Sequence, residues 1–205
     1  MAPTQRTSWT DTWATASWRP LVLALPGLVL AAAGLLHPSG LGYDTAATWF
    51  GLHVPGILVF PLVGWALADL VRSRSDAVAW AVRVTAYLYA TFYTALDVIS
   101  GVGAGYVTRA LGPDVPRPEA VSQMFRIGTP LGEVGSWALL ACVALVLADQ
   151  LRRHGAPALA GVVLLPGAWL VHTDHIFPPF GVLGMVLLAA GTAGLALVAR
   201  RGVSA

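Results

Sequence analysis

The chain has 205 residues, 57% of them hydrophobic and only 11% charged, where a soluble domain carries about a quarter charged residues. All twelve of its basic residues are arginines, scattered at the ends of apolar stretches and set against ten acidic ones for a net charge of +2, so no basic stripe for nucleic acid exists. A single cysteine, Cys142, excludes an intramolecular disulfide and a CxxC redox motif, and its apolar setting reads as a small core residue.

Residues 1–19 are rich in Thr and Ser and contain Trp9, Trp13 and Trp18, the composition of an interfacial anchor on the cytoplasmic side. Residues 19–33 share features with a signal peptide, with an apolar core and Ala31-Ala32-Ala33 as a small-residue site. The apolar run nevertheless continues through Leu36, and Pro26-Gly27 interrupts the core, so a retained first span is expected. Apolar stretches near the ~20 residues needed to cross a bilayer then follow at 21–36, 47–71, 77–102, 131–151, 157–176 and 180–199. They predict an all-α integral membrane protein, a six-transmembrane-helix bundle spanning 20–200, with 201–205 as a cytoplasmic tail. Pro26, Pro55, Pro61 and Pro166 fall inside apparent spans, where each removes a backbone hydrogen bond and favours a kink.

Orientation follows from arginine. With the N-terminus cytoplasmic, Arg6, Arg19, Arg72, Arg74, Arg152, Arg153, Arg200 and Arg201 fall inside, while Arg109, Arg117 and Arg126 share one outer loop. The positive-inside rule thus places both termini in the cytoplasm of a cell whose plasma membrane holds the protein. Arg without Lys, beside abundant Ala and Gly, suggests a bacterial source. The outer loop, 108–130, contains Pro118-Glu119 followed by Val121, Met124, Phe125 and Ile127, a pattern that predicts a short amphipathic helix between the third and fourth spans, lying over the bundle end. Gly101, Gly103 and Gly105 before it follow no strand and are not a nucleotide fingerprint.

At ~1.5 Å of rise per residue, His37, His53, Asp97, Glu133 and His175 fall at one depth, on five different helices, roughly 10–12 Å to the outer side of the bilayer centre, with His172 slightly deeper. Ionisable groups in hydrocarbon are costly, so such a converging layer marks a functional site. His172 and His175, three apart, share a helix face and read as a pair of metal ligands, with Asp174 between them as a carboxylate that ligates or orients a ring. His53 and His37 extend the set to four imidazoles, and three imidazoles with one open position is the pattern of a catalytic zinc site. Asp97 and Glu133 are then a fourth ligand or acid/base groups, and Tyr93 belongs to a stripe with Tyr89 and Asp97 at four-residue spacing. Each residue also has an ordinary explanation. His37 stands at a helix end, Glu133 is favoured by the dipole of a helix starting there, and Asp97 serves as an interhelical strut. Aromatic residues surround the layer as a headgroup-level belt, with Trp169 deep enough to line a pocket for an apolar ligand.

The expected function is therefore a metal-binding membrane protein, an enzyme acting on a lipid-like or isoprenoid substrate near the outer leaflet, with zinc, copper or iron as the ion. Three alternatives use the same residues. A b-type haem between His53 and His172 would exchange electrons with a quinone. A metal-free acid, Asp97 or Glu133, would protonate an isoprenoid in a cyclase or isomerase. A transporter or structural subunit of a membrane complex needs no chemistry, although polar groups on one side alone argue against a translocation path.

Overall fold

The computed structural model describes residues 16–113, 115 and 118–203. Trp9, Trp13, Arg6 and Arg117, and the end of the expected tail, lie outside the described residues. Among those described, every regular element is helical and there is no strand. In chain order they are α1 (Arg19–Leu35), α2 (Tyr43–Asp69), α3 (Ala77–Leu96), a π-helical turn (Asp97–Gly103), α4 (Ala104–Leu111), α5 (Glu119–His154), a 3-10 turn (Ala156–Gly161), α6 (Leu164–Asp174) and α7 (Phe180–Val203).

Four segments among the described residues are long and apolar enough to cross a membrane: Tyr43–Asp69, Glu119–His154, Ala156–Asp174 and Phe180–Arg201. α1 is apolar but shorter, at 17 residues. Large apolar side chains such as Leu21, Leu58, Trp65 and Tyr87 cover the outside of the bundle as well as its inside. Helices that are hydrophobic all round belong in lipid.

Helix ends follow local chemistry. Pro20 opens α1, where its missing N–H leaves no intrahelical bond unmade. Thr45 Oγ1 accepts from the Gly42 N–H at the start of α2. Asp76 caps α3 by accepting from the N–H groups of Val78 and Ala79 at 3.0 and 3.1 Å. Pro55 and Pro61 lie within α2 without ending it, and Pro166 falls in the first turn of α6, where the ring is tolerated.

One element differs from its expectation. The segment from Glu119 onward is helical but is not a separate short helix; it is the first part of α5, which runs unbroken through Pro130 for 36 residues. The loop before it shrinks to 112–118. Packing explains the continuity: Gly128, Gly132 and Gly135 of α5 lie against Ser100, Leu96 and Tyr93, so close contact with the α3 rod holds the chain helical where the proline alone favours a break. Glu133 consequently sits in the middle of α5, and Glu119 is the acidic residue at its positive end.

α3 packs along α5, α1 along α7, and α2 against α3. Tyr89, Tyr93, Phe60, Leu139 and Met185 are among the largest buried side chains between them, and Cys142 is buried in the same cluster with its thiol on the Val82 carbonyl. The two ends of the bundle differ chemically. At one end, Arg19 holds Asp69 through Nε and Nη2 at 2.9 and 2.6 Å, and Arg74 bridges Asp76 and Asp149. The Arg83 guanidinium donates there to the carbonyls of Val71, Arg72 and Arg74, closing the connection between α2 and α3. His37, His53 and His175 lie toward the other end, where α1 and α6 finish and α2 begins, whereas His154 ends α5 beside Arg153.

Candidate metal centre

Three histidines from three places in the chain converge. His37 lies just beyond α1, His53 stands in α2, and His175 terminates α6. One ring nitrogen from each lies within 4.8 Å of the other two, so the three could hold a metal ion. Their ring centroids are 5.1 Å (His37–His53), 6.1 Å (His37–His175) and 6.4 Å (His53–His175) apart.

The other nitrogen of each ring is already engaged. His37 Nδ1 lies 2.8 Å from the Pro38 carbonyl oxygen, and His53 Nδ1 lies 2.6 Å from that of Trp49. A carbonyl only accepts, so both Nδ1 atoms carry the proton, and each Nε2 presents its lone pair. His175 Nδ1 meets the Tyr93 hydroxyl at 2.7 Å, an oxygen able to accept from it. A protonated Nδ1 held by an oxygen, with Nε2 free, is how proteins orient imidazoles that bind metals. His37 Nε2 is buried and has no hydrogen-bond partner.

Local structure sets each ring. Trp49 stacks on His53 at 5.1 Å and is itself anchored by its Nε1–H donating to the Ser100 carbonyl. A side chain at Gly101 would collide with the His53 ring, so the π-helical turn supplies the floor on which that ring rests. His175 has a positive φ of 53°, a conformation that costs a non-glycine residue about 1–2 kcal/mol. It sits between Phe60 and Tyr93, each 5.4 Å from it by ring centroids. Strain of this kind persists where packing over-determines it, and it collects at functional sites.

A tetrahedral ion with bonds of about 2.0–2.1 Å needs ligand nitrogens about 3.3 Å apart, so nitrogens that lie within 4.8 Å of one another would close by up to about 1.5 Å to bind one. That is within the reach of side-chain adjustment, and the donors are imidazoles with their lone pairs free.

Two chambers flank the cluster. A cavity of about 380 Å³ is lined by His53, His175 and Tyr93 on one side and by Glu133, Ser136, His172 and Asp174 on the other. A smaller, apolar chamber of about 50 Å³ lies between α1 and α2 and is bordered by His37, His53 and Asp97. Asp97, 1% exposed, places Oδ1 3.8 Å from His53 Nε2.

The layer expected along the chain is thus gathered around two adjoining chambers, but not all its members meet. His172 and His175 do not share a face: α6 ends at Asp174, and the positive φ turns His175 into the bundle. His172 is not one of the three clustered histidines; its Nδ1 lies 2.8 Å from Ser136 Oγ, and its ring packs on Trp137 and Trp169. Ser136 Oγ lies within hydrogen-bond reach of both the Glu133 carbonyl, at 3.0 Å, and His172 Nδ1. Asp174 is half-buried at the cavity wall and accepts from Thr173, while Glu133 is exposed along the same wall. Trp169, expected to line a pocket, is 50% exposed and borders neither chamber. Trp49 is buried against His53. Gly56 and Gly101 were invisible as site residues, because nothing in the sequence marks a glycine that makes room for a ring or carboxylate on another helix.

No family model, no curated protein and no solved structure matches this chain.

Proposed function

We propose that the protein is an integral membrane metalloprotein in which His37, His53 and His175 bind one divalent transition-metal ion beside a substrate cavity. The observation that carries this reading is the convergence of the three rings: one nitrogen from each lies within 4.8 Å of the others, and backbone carbonyls hold the Nδ1–H groups of His37 and His53, which leaves their Nε2 lone pairs free. A bound ion would supply Lewis acidity at the rim of the cavity. Tyr93 orients His175, and His172, held through Nδ1 by Ser136 Oγ, is the imidazole on the far wall. Glu133 and Asp174 on that wall are the carboxylates available for proton transfer.

The volume of about 380 Å³ falls within the range of small-molecule sites, and the apolar exterior favours a lipid-like substrate that enters from the bilayer. Six crossings with both termini cytoplasmic put the histidine end on the extracytoplasmic side, a topology supported by the arginine distribution. The haem alternative pairs His53 with His172; the cluster groups His53 with His37 and His175, which favours a bare ion.

Elemental analysis of the detergent-purified protein, prepared without a histidine tag, tests the proposal. About one equivalent of zinc, iron or copper is expected, lost in His53→Ala and in His175→Ala. Absence of a stoichiometric metal from freshly isolated wild-type protein would overturn it.

A further inference from the structure

Among the described residues, Asp97 is a buried carboxylate with little to compensate it. It opens the π-helical turn, is 1% exposed, and neither of its carboxylate oxygens has a hydrogen-bond partner. A buried carboxylate left without donors is expensive, because nothing replaces the water it gave up. Its surroundings make room for it all the same. A Cβ on Gly56 would lie 2.5 Å from Asp97 Oδ2, so only glycine there leaves space for the carboxylate. The chamber it borders is otherwise apolar, walled by residues such as Val29, Leu30, Pro55 and Val59.

The group facing Asp97 does not relieve it. His53 Nε2 lies 3.8 Å from Oδ1, beyond hydrogen-bond distance. With the His53 proton on Nδ1, bonded to the Trp49 carbonyl, that Nε2 turns a lone pair toward a carboxylate. Two electron-rich atoms face each other beside an apolar chamber, an arrangement that a cation between them would satisfy. His37 borders the same chamber with its own unpartnered Nε2.

We infer that Asp97 is the fourth, anionic ligand of the ion held by His37, His53 and His175. The inference rests on the three-histidine reading and deepens it. A ligand–ligand separation of about 3.3 Å is needed around a tetrahedral ion, and the His53–Asp97 pair at 3.8 Å is already near it. Asp97 borders the small chamber and His175 the large one, with His53 on both, so the ion would lie between the two chambers. Three imidazoles and a carboxylate are borderline-to-hard donors with no sulfur among them, since the thiol of Cys142 is on the Val82 carbonyl. That set suits Zn²⁺, Fe²⁺, Co²⁺ or Mn²⁺ and disfavours Cu⁺. One negative charge also halves the charge of the buried ion, which lowers the penalty of holding it away from water.

Co²⁺ titration of the full-length, untagged, metal-stripped protein in detergent is the test, read by visible absorption. Wild type is expected to bind one equivalent with the d–d bands of a low-coordinate site. Asp97→Asn keeps the shape and removes the charge; its Kd is expected to rise at least tenfold with a shift of the bands, whereas Asp44→Asn on the exposed first turn of α2 leaves both unchanged. A second measurement needs no variant: the Co²⁺-minus-metal-free infrared difference spectrum of wild type carrying ¹³C-labelled aspartate should show one carboxylate stretch moving. Wild type and Asp97→Asn binding alike, with no aspartate band in the difference spectrum, would overturn the assignment of Asp97 and leave the histidine centre standing. Failure of wild type to bind Co²⁺ at all would remove the three-histidine reading instead.

Discussion

His53 shows how far a single ring depends on its neighbours. The Trp49 carbonyl one turn earlier in α2 sets its tautomer, the Trp49 ring stacks on it, and Gly101 on another rod leaves the space it fills. Gly101→Ala forces a methyl group into that ring. Overpacking of this kind costs about 1–3 kcal/mol, and here the strain would fall on a proposed ligand. The expected outcome is a lower melting temperature together with weaker Co²⁺ binding, measured by thermal unfolding and by titration. An alanine variant with unchanged metal affinity would show that the ring does not need its present position. His175 makes the complementary point, because its positive φ sets the direction of the ring as much as its place in the chain does.

The π-helical turn is the element that assembles the site. Asp97, Ser100 and Gly101 are its buried residues, and they respectively face His53, receive the Trp49 indole and underlie the His53 ring. Single π turns inside longer helices are frequent at functional sites, since the wider turn exposes backbone groups to outside partners. At the other end of the same rod, the cap is conventional and pH-sensitive. The backbone N–H groups of Ala79 and Val78, with the Arg74 guanidinium, hold the Asp76 carboxyl below its ordinary value of 3.8. A depressed carboxylate stabilises the fold fully above that ordinary value and loses its contribution as pH falls through the lower folded value. Asp76→Ala is therefore expected to melt below wild type at neutral pH, with the gap closing as the pH falls below the ordinary value. A gap that persisted at low pH would mean that the charge of the cap is not what stabilises α3.

Across the whole molecule, an arginine–aspartate layer closes one end and a histidine–aspartate layer occupies the other. The Arg19–Asp69 pair, 4% and 8% exposed, ties the start of α1 to the end of α2. The proposed topology puts this end in the cytoplasm. Ser39, in the exposed connection between α1 and α2, and Ser73, between α2 and α3, then lie on opposite sides. A maleimide that does not cross membranes is expected to label Ser39→Cys and spare Ser73→Cys in intact cells, with Cys142 buried in both. The reverse pattern would invert the orientation and move the centre to the cytoplasmic side.

Much of this architecture is legible in the order of residues alone. Hydropathy predicts helices in lipid, because a backbone without water must bond within its own segment. Position along a span converts directly into depth, which is why the numbering of His53, Asp97, Glu133, His172, His175 and Tyr93 leads one to expect them near one another. Depth says nothing of which way a side chain turns about its helix axis. That angle depends on how the rods pack, on the π turn that displaces Gly101 and on the backbone conformation that swings His175 away from His172. The continuity of α5 through Pro130 depends likewise on glycines packed against another helix. By itself the sequence determined the helical class and the apolar character of its segments, since both follow from the order of residues along one axis. Only the tertiary structure decided that His37, rather than His172, joins His53 and His175, because that choice lies in contacts between segments far apart in the chain.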